Sequence, residues 1–585
     1  MVRKEAEKRV FRGKTTNCEP VTVNCYLSEE RMSKSENGGL KIVVVGASAA
    51  GLRAAARAKR LMPHSVITVV DEKEIISYAA CGLPYYLSGD IGNPRALRET
   101  TWGTLRDPRF FKDVKGLDVR IQTSATYCDL EKKTIHLRHR ITGAEERVAF
   151  DKLVLATGAA PFVPPGIPEN NPRISTFKTM EDAKIWHSRL ETGQLEKVAI
   201  IGSGFIGIEL TEAFTAMWGA EVDLIEMEDR ILPQMFDGEM SALIEKHLVE
   251  QDIRIHKTCC VKEIRNSGDG LSVVTDSKTI ETEYAIVVVG VRPRIELARQ
   301  MGLKIGQCGG IVVDENLQTN HPDVYAAGDC TEVEYFYGNR AVLPLGSLAN
   351  KQGRAVGDQL AGRTTKFGKV AGSACVKAFD YNCASTGISE TQAARCNIPT
   401  RAVWGTFDDC ADYYPENKTI FMKMVYHAET LQILGLQGVG EGDVVKRVDV
   451  MGNLILNKGY IEDLLDLEFA YAPPYSPPLD PLYVLGAAAL NQEEGVLASS
   501  PSLLSHEGII LDVRTQSESD SNPVEGALNI PLDELRDRMA EVDKDTPIHI
   551  VCPRGSRSPE ATRWFIQAGY KNVTYSGGGR LMRNR

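Results

Sequence analysis

The chain has 585 residues, 43% of them apolar and 25% charged, which is typical of a soluble globular protein with about three or four domains. The net charge of −10 and the lack of a basic block exclude nucleic acid as an expected partner, and no apolar run reaches the ~18 residues of a membrane span. The 13 cysteines follow no repeated spacing and form no CxxC pair, so we expect no metal site and reduced thiols in the cytoplasm.

The first 39 residues are charged and contain no continuous apolar segment, so they do not match a secretory signal. We expect a disordered extension here. Met32, which precedes a polar run, is a second possible start of the protein.

A glycine-rich turn follows the apolar run 42–45 and opens a helical pattern. It reads Gly46-Ala-Ser48-Ala-Ala-Gly51, and Asp71 ends the next apolar strand twenty residues later. Such a turn brings backbone N–H groups to a pyrophosphate, and the following acid binds a ribose hydroxyl. Ser48 stands at the middle glycine position, where a small residue still fits. The segment therefore predicts a first dinucleotide site.

A single cysteine, Cys81, follows this unit within the segment Ser-Tyr-Ala-Ala-Cys-Gly-Leu-Pro-Tyr, residues 77–85. Tyr86 occupies the fifth position after it, so no second cysteine lies at CxxxxC spacing. A lone redox cysteine cycles through a mixed disulfide, a persulfide or a sulfenic acid. The alternative is an inert core thiol.

A second glycine-rich turn, Gly202-Ser-Gly204-Phe-Ile-Gly207, follows the apolar run 198–201, and Glu226 ends the next strand nineteen residues later. Two such units in one chain predict two dinucleotides, one of which passes electrons to the other. An acid at this place favours a free 2′-hydroxyl and therefore NADH, although Arg230 keeps NADPH open.

Two further apolar strands end in Ala-Thr157-Gly158 and in Gly-Asp329. With these segments the sequence resembles the pyridine nucleotide–disulfide oxidoreductase family from about residue 41 to 490. The resemblance implies that the first site holds FAD, with Asp329 near its ribityl or pyrophosphate part. Gly290 then marks the return from the NAD domain to the FAD domain.

The single cysteine makes the chain similar to the coenzyme A disulfide reductases and to the single-cysteine NADH oxidases and peroxidases. The oxidases and peroxidases carry a histidine in the first glycine turn, whereas this chain has Ala49 there, as the coenzyme A disulfide reductases do. The resemblance therefore implies NADH-dependent reduction of coenzyme A persulfide, polysulfide or disulfide through Cys81. An NADH oxidase of the same family and a redox-sensing flavoprotein with a binding module at its C-terminus are the alternatives.

Two tyrosine motifs, Asp-Tyr413-Tyr-Pro and Ala-Tyr471-Ala-Pro-Pro-Tyr-Ser, are similar to those of coenzyme A disulfide reductases. In that family the tyrosines reach across a homodimer interface to the other subunit's cysteine, which makes Tyr413 and Tyr471 candidate proton donors. The alternative is that both only pack and bond locally at the interface.

The resemblance also assigns residues to coenzyme A, whose phosphates need cations. These residues are Ser77, Arg57, Arg60 and Lys115. A solvated basic helix face is the alternative for the arginines. Ala80 and Leu479 depart from the residues usual in coenzyme A disulfide reductases, which leaves the thiol carrier open.

The C-terminal region, about 505–585, is similar to a single rhodanese domain. Its apolar strand ends in Cys552-Pro-Arg554-Gly555-Ser-Arg557, a loop whose N–H groups point inward and favour an anion. That field and the two arginines should lower the pKa of Cys552 and stabilise a persulfide. Sulfur transfer is therefore expected, with a non-catalytic rhodanese as the alternative.

The predicted fold class is α/β: FAD and NAD(P) dinucleotide-binding domains of the disulfide-reductase type, an α+β dimerisation domain and an α/β rhodanese domain. The predicted domains are an FAD-binding domain at 40–160 and 285–350, an NAD-binding domain at 161–284, a dimerisation domain at 351–490, a linker at 491–504 and a rhodanese domain at 505–585.

Overall fold

The computed structural model describes residues 39–168, 170–501 and 508–583. The expected N-terminal extension, including Met32, lies outside the described residues apart from Gly39. Among the described helices, none combines the length and the apolar composition that crossing a membrane requires.

The first part of the chain alternates buried β-branched strands with short helices. Its first strand, Lys-Ile-Val-Val-Val, is mostly buried, and Asp107 caps a later helix by accepting a hydrogen bond from the Phe110 N–H (2.8 Å). The strands are β1 (Lys41–Val45), β2 (Val66–Val70), β3 (Asp118–Arg120), β4 (Thr123–Asp129), β5 (Thr134–His139), β6 (Glu145–Ala149), β7 (Lys152–Leu155) and β8 (Ala159–Pro161), and the helices are α1 (Ala49–Leu61), α2 (Leu83–Leu87) and α3 (Pro108–Lys115).

The second part repeats this pattern. Its first helix begins with a capping box, in which the Thr179 and Asp182 side chains each accept a hydrogen bond from the other residue's backbone N–H. The strands are β9 (Ile174–Ser175), β10 (Lys197–Ile201), β11 (Glu221–Ile225), β12 (Arg254–His256), β13 (Val261–Ser267), β14 (Gly270–Thr275), β15 (Thr279–Thr282) and β16 (Tyr284–Val287), and the helices are α4 (Met180–Glu191), α5 (Phe205–Glu212) and α6 (Gly238–Glu250).

A third part returns to the first sheet. It contains β17 (Val291–Pro293), β18 (Val324–Ala326), β19 (Val333–Glu334), β20 (Arg340–Ala341), α7 (Glu296–Gln300) and α8 (Gly346–Leu360). The first parallel sheet has the order β18-β7-β1-β2-β3, and the second has the order β12-β11-β10-β16-β9. The glycine turns follow β1 and β10, so both lie at the carboxyl ends of parallel strands, where such sheets bind ligands.

The fourth part is an antiparallel sheet with the order β21-β22-β25-β24-β23, covered by helices. Its elements are β21 (Ala374–Ala378), β22 (Tyr381–Gly387), β23 (Thr400–Asp408), β24 (Thr419–His427), β25 (Ile433–Gly440), α9 (Glu390–Arg395), α10 (Val445–Leu456), α11 (Asp463–Asp466) and α12 (Pro481–Glu493).

The fifth part is a parallel sheet with the order β26-β30-β29-β27-β28. Its elements are β26 (Leu497–Ser499), β27 (Ile509–Asp512), β28 (Leu528–Asn529), β29 (Ile548–Val551), β30 (Val573–Ser576), α13 (Gln516–Ser521), α14 (Leu535–Arg538) and α15 (Arg557–Gln567). Strand β26 lies inside the segment 491–504, which we expected to be a linker. Its backbone pairs with β30, so these residues form part of the sheet.

A buried ion cluster joins α6 to the antiparallel sheet. Lys423 on β24 is only 1% exposed, and its ammonium contacts the carboxylates of Asp237 (2.9 Å), Glu239 (2.6 Å) and Glu390 (2.6 Å). These carboxylates raise the pKa of Lys423 in spite of its burial, and Lys423 helps to lower that of Asp237. The cluster therefore ties three elements together through one cation.

Replacing Lys423 by methionine tests this cluster, because it leaves buried carboxylates without their cation. Lys423→Met is expected to lower the free energy of unfolding by about 3 kcal/mol in urea denaturation. The matched control is Lys418→Met, whose exposed pair with Glu441 should contribute under about 1 kcal/mol. Equal effects of the two substitutions would contradict the structural role of the cluster.

Candidate functional site

The first glycine turn is possible only because residue 46 has no side chain. Gly46 has a φ of +113°, and a Cβ placed on it would lie 2.0 Å from the carbonyl oxygen of Ala156. A Cβ on Gly51 would lie 1.9 Å from the Gly46 carbonyl oxygen. The start of α1 therefore lies directly on the end of β7, with its N–H groups facing the cleft.

The predicted residues of this site line one cleft. Asp71 organises the turn by accepting hydrogen bonds from the N–H groups of Ala47 (2.7 Å) and Lys73 (2.9 Å). The structure gathers Gly46, Ser48, Asp71, Thr157, Gly158 and Asp329 around the cleft. Burial raises the pKa of Asp329. A cleft lined by a glycine cradle and a half-buried acid fits a dinucleotide such as FAD.

Cys81 is exposed and lies in a 3-10 turn, Ala80–Gly82. Its segment is tied to the first glycine turn, because the Ser77 N–H donates to the Ala47 carbonyl (3.1 Å). A Cβ placed on Gly346, the first residue of α8, would lie 4.0 Å from the Cys81 sulfur. The N-terminus of a 15-residue helix thus begins next to the thiol.

Two charged groups near Cys81, Glu209 and Lys178, were not found from the sequence. Although the residue is exposed, partial desolvation of its sulfur raises the pKa of the Cys81 thiol, Glu209 and Asp329 raise it further, and Lys178 opposes them. Burial raises the pKa of Glu209 to about 7, and Tyr85 Oη donates to its carboxylate (3.5 Å). Lys178 precedes a helix cap and Glu209 lies within the mostly apolar helix α5, so no local signal marks either of them as part of a site.

The second glycine turn has the same construction. Gly202 has a φ of +105°, and a Cβ on it would lie 2.7 Å from the Val288 carbonyl oxygen. Glu226 is buried and accepts hydrogen bonds from the Ser203 N–H (3.0 Å), the Ser203 hydroxyl (2.5 Å) and the Glu228 N–H (2.9 Å). The acid therefore lies at the turn, as the dinucleotide pattern requires.

The remaining predicted residues of this second site lie on or beyond the turn. Gly204 is the N-cap of α5, where a Cβ would meet open space, and a Cβ on Gly207 would lie 2.0 Å from the Gly202 carbonyl oxygen. Gly290 has a φ of +120° directly before β17. Arg230 contacts Asp229 (3.1 Å).

The residues expected to bind coenzyme A lie on different elements. Arg57 is half-buried and pairs with Asp358 of α8 (2.6 Å), whereas Arg60 is exposed at the end of α1. The Lys115 ammonium lies 5.5 Å from the centre of the Phe110 ring. Arg57 thus already has a structural partner that the sequence pattern did not reveal.

Tyr413 and Tyr471 lie side by side although 58 residues separate them in sequence. Their loops are joined by a hydrogen bond from the Ala411 N–H to the Pro473 carbonyl (3.1 Å), and interaction with the Tyr471 phenol raises the pKa of Tyr413. Tyr413 is 70% and Tyr471 49% exposed in the protomer. The pair is therefore available to a neighbouring subunit.

The second sulfur centre follows β29. Cys552 is fully buried, and its sulfur accepts a hydrogen bond from the Gly555 N–H (3.2 Å). The Arg557 guanidinium binds both carboxylate oxygens of Glu518 (2.7 Å each), which helps to lower the pKa of that acid to about 2. Arg554 pairs with Asp408 of β23 (2.8 Å). The loop has the expected inward N–H, but both of its arginines already bind carboxylates.

Three family models match successive parts of the chain. Residues 40–353 match the model of the pyridine nucleotide-disulphide oxidoreductases, residues 373–481 that of their dimerisation domain, and residues 500–580 that of rhodanese-like domains. The first match alone covers more than half of the chain.

Similar proteins have been characterised in archaea and bacteria. The NAD(P)H coenzyme A polysulfide/persulfide reductase of Pyrococcus horikoshii is 34% identical over 77% of this chain and 98% of its own length. The solved NAD-dependent persulfide reductase from A. fulgidus is 37% identical, with a TM-score of 0.89 over 93% of this chain and 100% of that one. The reduced CoADR-RHD from Bacillus anthracis is 34% identical, with a TM-score of 0.86 over 94% of this chain and 98% of that one.

Gly46→Ala tests the first cleft. Because the added methyl collides with the Ala156 carbonyl, we expect FAD affinity to fall by about tenfold or more, measured as flavin absorbance per chain after dialysis. Gly92→Ala is the control, since a Cβ there meets nothing within 4 Å. Full flavin content in Gly46→Ala would contradict the assignment, and circular dichroism reports whether the variant has folded.

Proposed function

Because the chain belongs to the pyridine nucleotide-disulphide oxidoreductase family, we propose that it is an FAD-dependent reductase that uses NADH to reduce coenzyme A persulfide, polysulfide or disulfide at Cys81. The observation that carries this proposal is the exposed Cys81 close to Asp329 and Lys178 of the dinucleotide cleft, with Tyr86 where a partner cysteine would stand. The rhodanese-like domain on the same chain favours a sulfane sulfur substrate over a simple disulfide.

The first cleft is the proposed FAD site. Gly46, Ser48 and Gly51 are assigned to the pyrophosphate, Asp71 to the adenosine ribose, and Asp329 to the ribityl part. Thr157 and Gly158 complete the wall of the cleft. Bound FAD supplies a carrier that takes a hydride from the nicotinamide and delivers two electrons to sulfur.

The second turn is the proposed nicotinamide site. Gly202, Gly204 and Gly207 are assigned to its pyrophosphate and Glu226 to the adenosine ribose. A buried carboxylate at this place repels a 2′-phosphate, which favours NADH over NADPH. Arg230 offsets this preference little, because Asp229 already compensates its charge.

Cys81 is the proposed nucleophile. Its thiolate attacks the sulfur of coenzyme A persulfide that is bound to carbon, the S–S bond breaks, and hydrosulfide leaves. With coenzyme A disulfide the leaving group is the thiolate of one coenzyme A. Either substrate leaves coenzyme A in a mixed disulfide with Cys81, whose two-electron reduction regenerates the thiolate and releases coenzyme A.

The carrier side of the substrate is assigned to Ser77, Arg60 and Lys115. Arg57 takes part by orienting this end of α1, since its guanidinium is already held by Asp358. Ala80 and Leu479 leave the identity of the thiol carrier to experiment. The free thiols of the described cysteines agree with a cytoplasmic location.

Tyr413 and Tyr471 are the proposed proton donors to the departing thiolate, acting on Cys81 of the partner subunit. The support is their exposure, their proximity to each other and the match to a dimerisation domain. A phenol that reaches a departing thiolate can give it a proton.

Anaerobic NADH oxidation with coenzyme A persulfide and coenzyme A disulfide tests the reaction. Cys81→Ser should lower turnover by at least about a thousandfold with flavin retained, since a serine hydroxyl neither ionises nor forms the mixed disulfide. Cys552→Ser is the matched control and should keep coenzyme A disulfide reduction. Unchanged turnover in Cys81→Ser, or oxygen as the preferred acceptor, would refute the proposal.

Mixed dimers test whether the tyrosines act across the interface. The double variant Tyr413→Phe, Tyr471→Phe should lose about a hundredfold in kcat. When subunits of this double variant are mixed with Cys81→Ser subunits, hybrid dimers form. One of the two sites in each hybrid then combines an intact cysteine with the intact tyrosines of the other subunit. We expect roughly a quarter of the wild-type activity to return at equal mixing. No recovery would place the tyrosines in the same subunit as their cysteine.

A further inference from the structure

The Cys552 loop is held from outside its own domain. Asp408 is the last residue of β23 in the antiparallel sheet, and its carboxylate accepts a hydrogen bond from the Arg554 guanidinium (2.8 Å). Two residues earlier, the Thr406 hydroxyl donates to the Gly578 carbonyl (2.6 Å). The end of β23 thus contacts both the loop and the segment that covers it.

The covering segment, residues 577–582, lies between the loop and the rest of the chain. Its Arg580 N–H donates to the Cys552 carbonyl (2.9 Å), and its Leu581 N–H donates to the Pro553 carbonyl (3.0 Å). Met582 is buried in an apolar cluster that includes α6. The position of the loop is therefore determined jointly by three parts of the chain.

These contacts change the charge that a substrate meets at Cys552. Arg554 is compensated by Asp408 and Arg557 by Glu518. The Arg580 guanidinium binds the Asn522 carbonyl (2.7 Å). The two loop arginines, which would form a strongly cationic cradle by themselves, instead form two ion pairs without net charge.

We propose that Asp408 is a positioning residue of this loop, which selects persulfides over the thiosulfate dianion as sulfur donors. The inference rests on the sulfur-transfer role proposed for Cys552. Asp408 acts through Arg554: it fixes the direction of the guanidinium and offsets its charge, so that little attraction remains for a doubly charged donor.

The charges of the two reactions explain the selection. With a persulfide, the Cys552 thiolate attacks the outer sulfur of RS–SH, the S–S bond breaks, RS⁻ leaves, and Cys552 carries S–SH. At the reacting sulfur atoms one negative charge is present throughout, and the other charges of the donor lie away from them. With thiosulfate, the thiolate attacks a dianion and sulfite leaves, so three negative charges gather at the loop. Only uncompensated cations stabilise that arrangement.

Sulfur transfer to cyanide by the full-length enzyme, without NADH, tests this selection. Asp408→Asn frees the Arg554 charge and should raise kcat/KM for thiosulfate about tenfold, while the value for glutathione persulfide, corrected for the uncatalysed reaction, changes less than about threefold. Asp408→Glu keeps the charge and should keep the wild-type ratio. Glu441→Gln, which breaks an exposed ion pair on the same domain, is the matched control and should change neither donor.

Three outcomes would overturn the inference. They are an unchanged ratio in Asp408→Asn, a parallel fall with both donors, and a wild-type preference for thiosulfate. Coenzyme A disulfide reduction at Cys81, which should be unchanged in Asp408→Asn, reports folding. If wild type transfers sulfur no faster than Cys552→Ser while reduction at Cys81 persists, the role of Cys552 fails and the proposed reductase stands.

Discussion

Both nucleotide sites depend on a close backbone contact between the glycine turn that begins a helix and the end of the neighbouring strand in the sheet. A Cβ on Gly46 would lie 2.0 Å from the Ala156 carbonyl oxygen, and a Cβ on Gly202 would lie 2.7 Å from the Val288 carbonyl oxygen. Only glycine permits this approach together with a positive φ. Asp71 and Glu226 accept hydrogen bonds from N–H groups of these turns, and the Cys81 segment hydrogen bonds to the first turn.

The redox thiol lies in surroundings that favour its protonated form. Burial, Glu209 and Asp329 raise the pKa of Cys81, and within the protomer Lys178 and the start of α8 at Gly346 act in the opposite direction. The protomer alone therefore supplies little to activate the thiol. The proton donors proposed on a neighbouring subunit, Tyr413 and Tyr471, would add stabilisation where a thiolate departs.

The two sulfur centres of the chain differ in construction. Cys81 is exposed beside the start of α8, whereas Cys552 is fully buried in a loop that the antiparallel sheet contacts. An exposed nucleophile suits a large thiol carrier, and a buried one suits the transfer of a single sulfur atom. The ion pair between Arg554 and Asp408 joins the second centre to a residue of the antiparallel sheet.

The sequence by itself determined what local spacing encodes: two glycine turns with their acids, the unpartnered Cys81 and the Cys552 loop. The α/β fold class predicted from them is confirmed. Tertiary structure alone decided which charges meet. The pairs Arg57–Asp358 and Arg554–Asp408 join residues that lie 301 and 146 positions apart in the sequence. Strand β26 likewise pairs with β30, the last described strand along the chain. Such partners follow from packing, because Coulomb and hydrogen-bond energies depend on distance in space and not on distance along the chain.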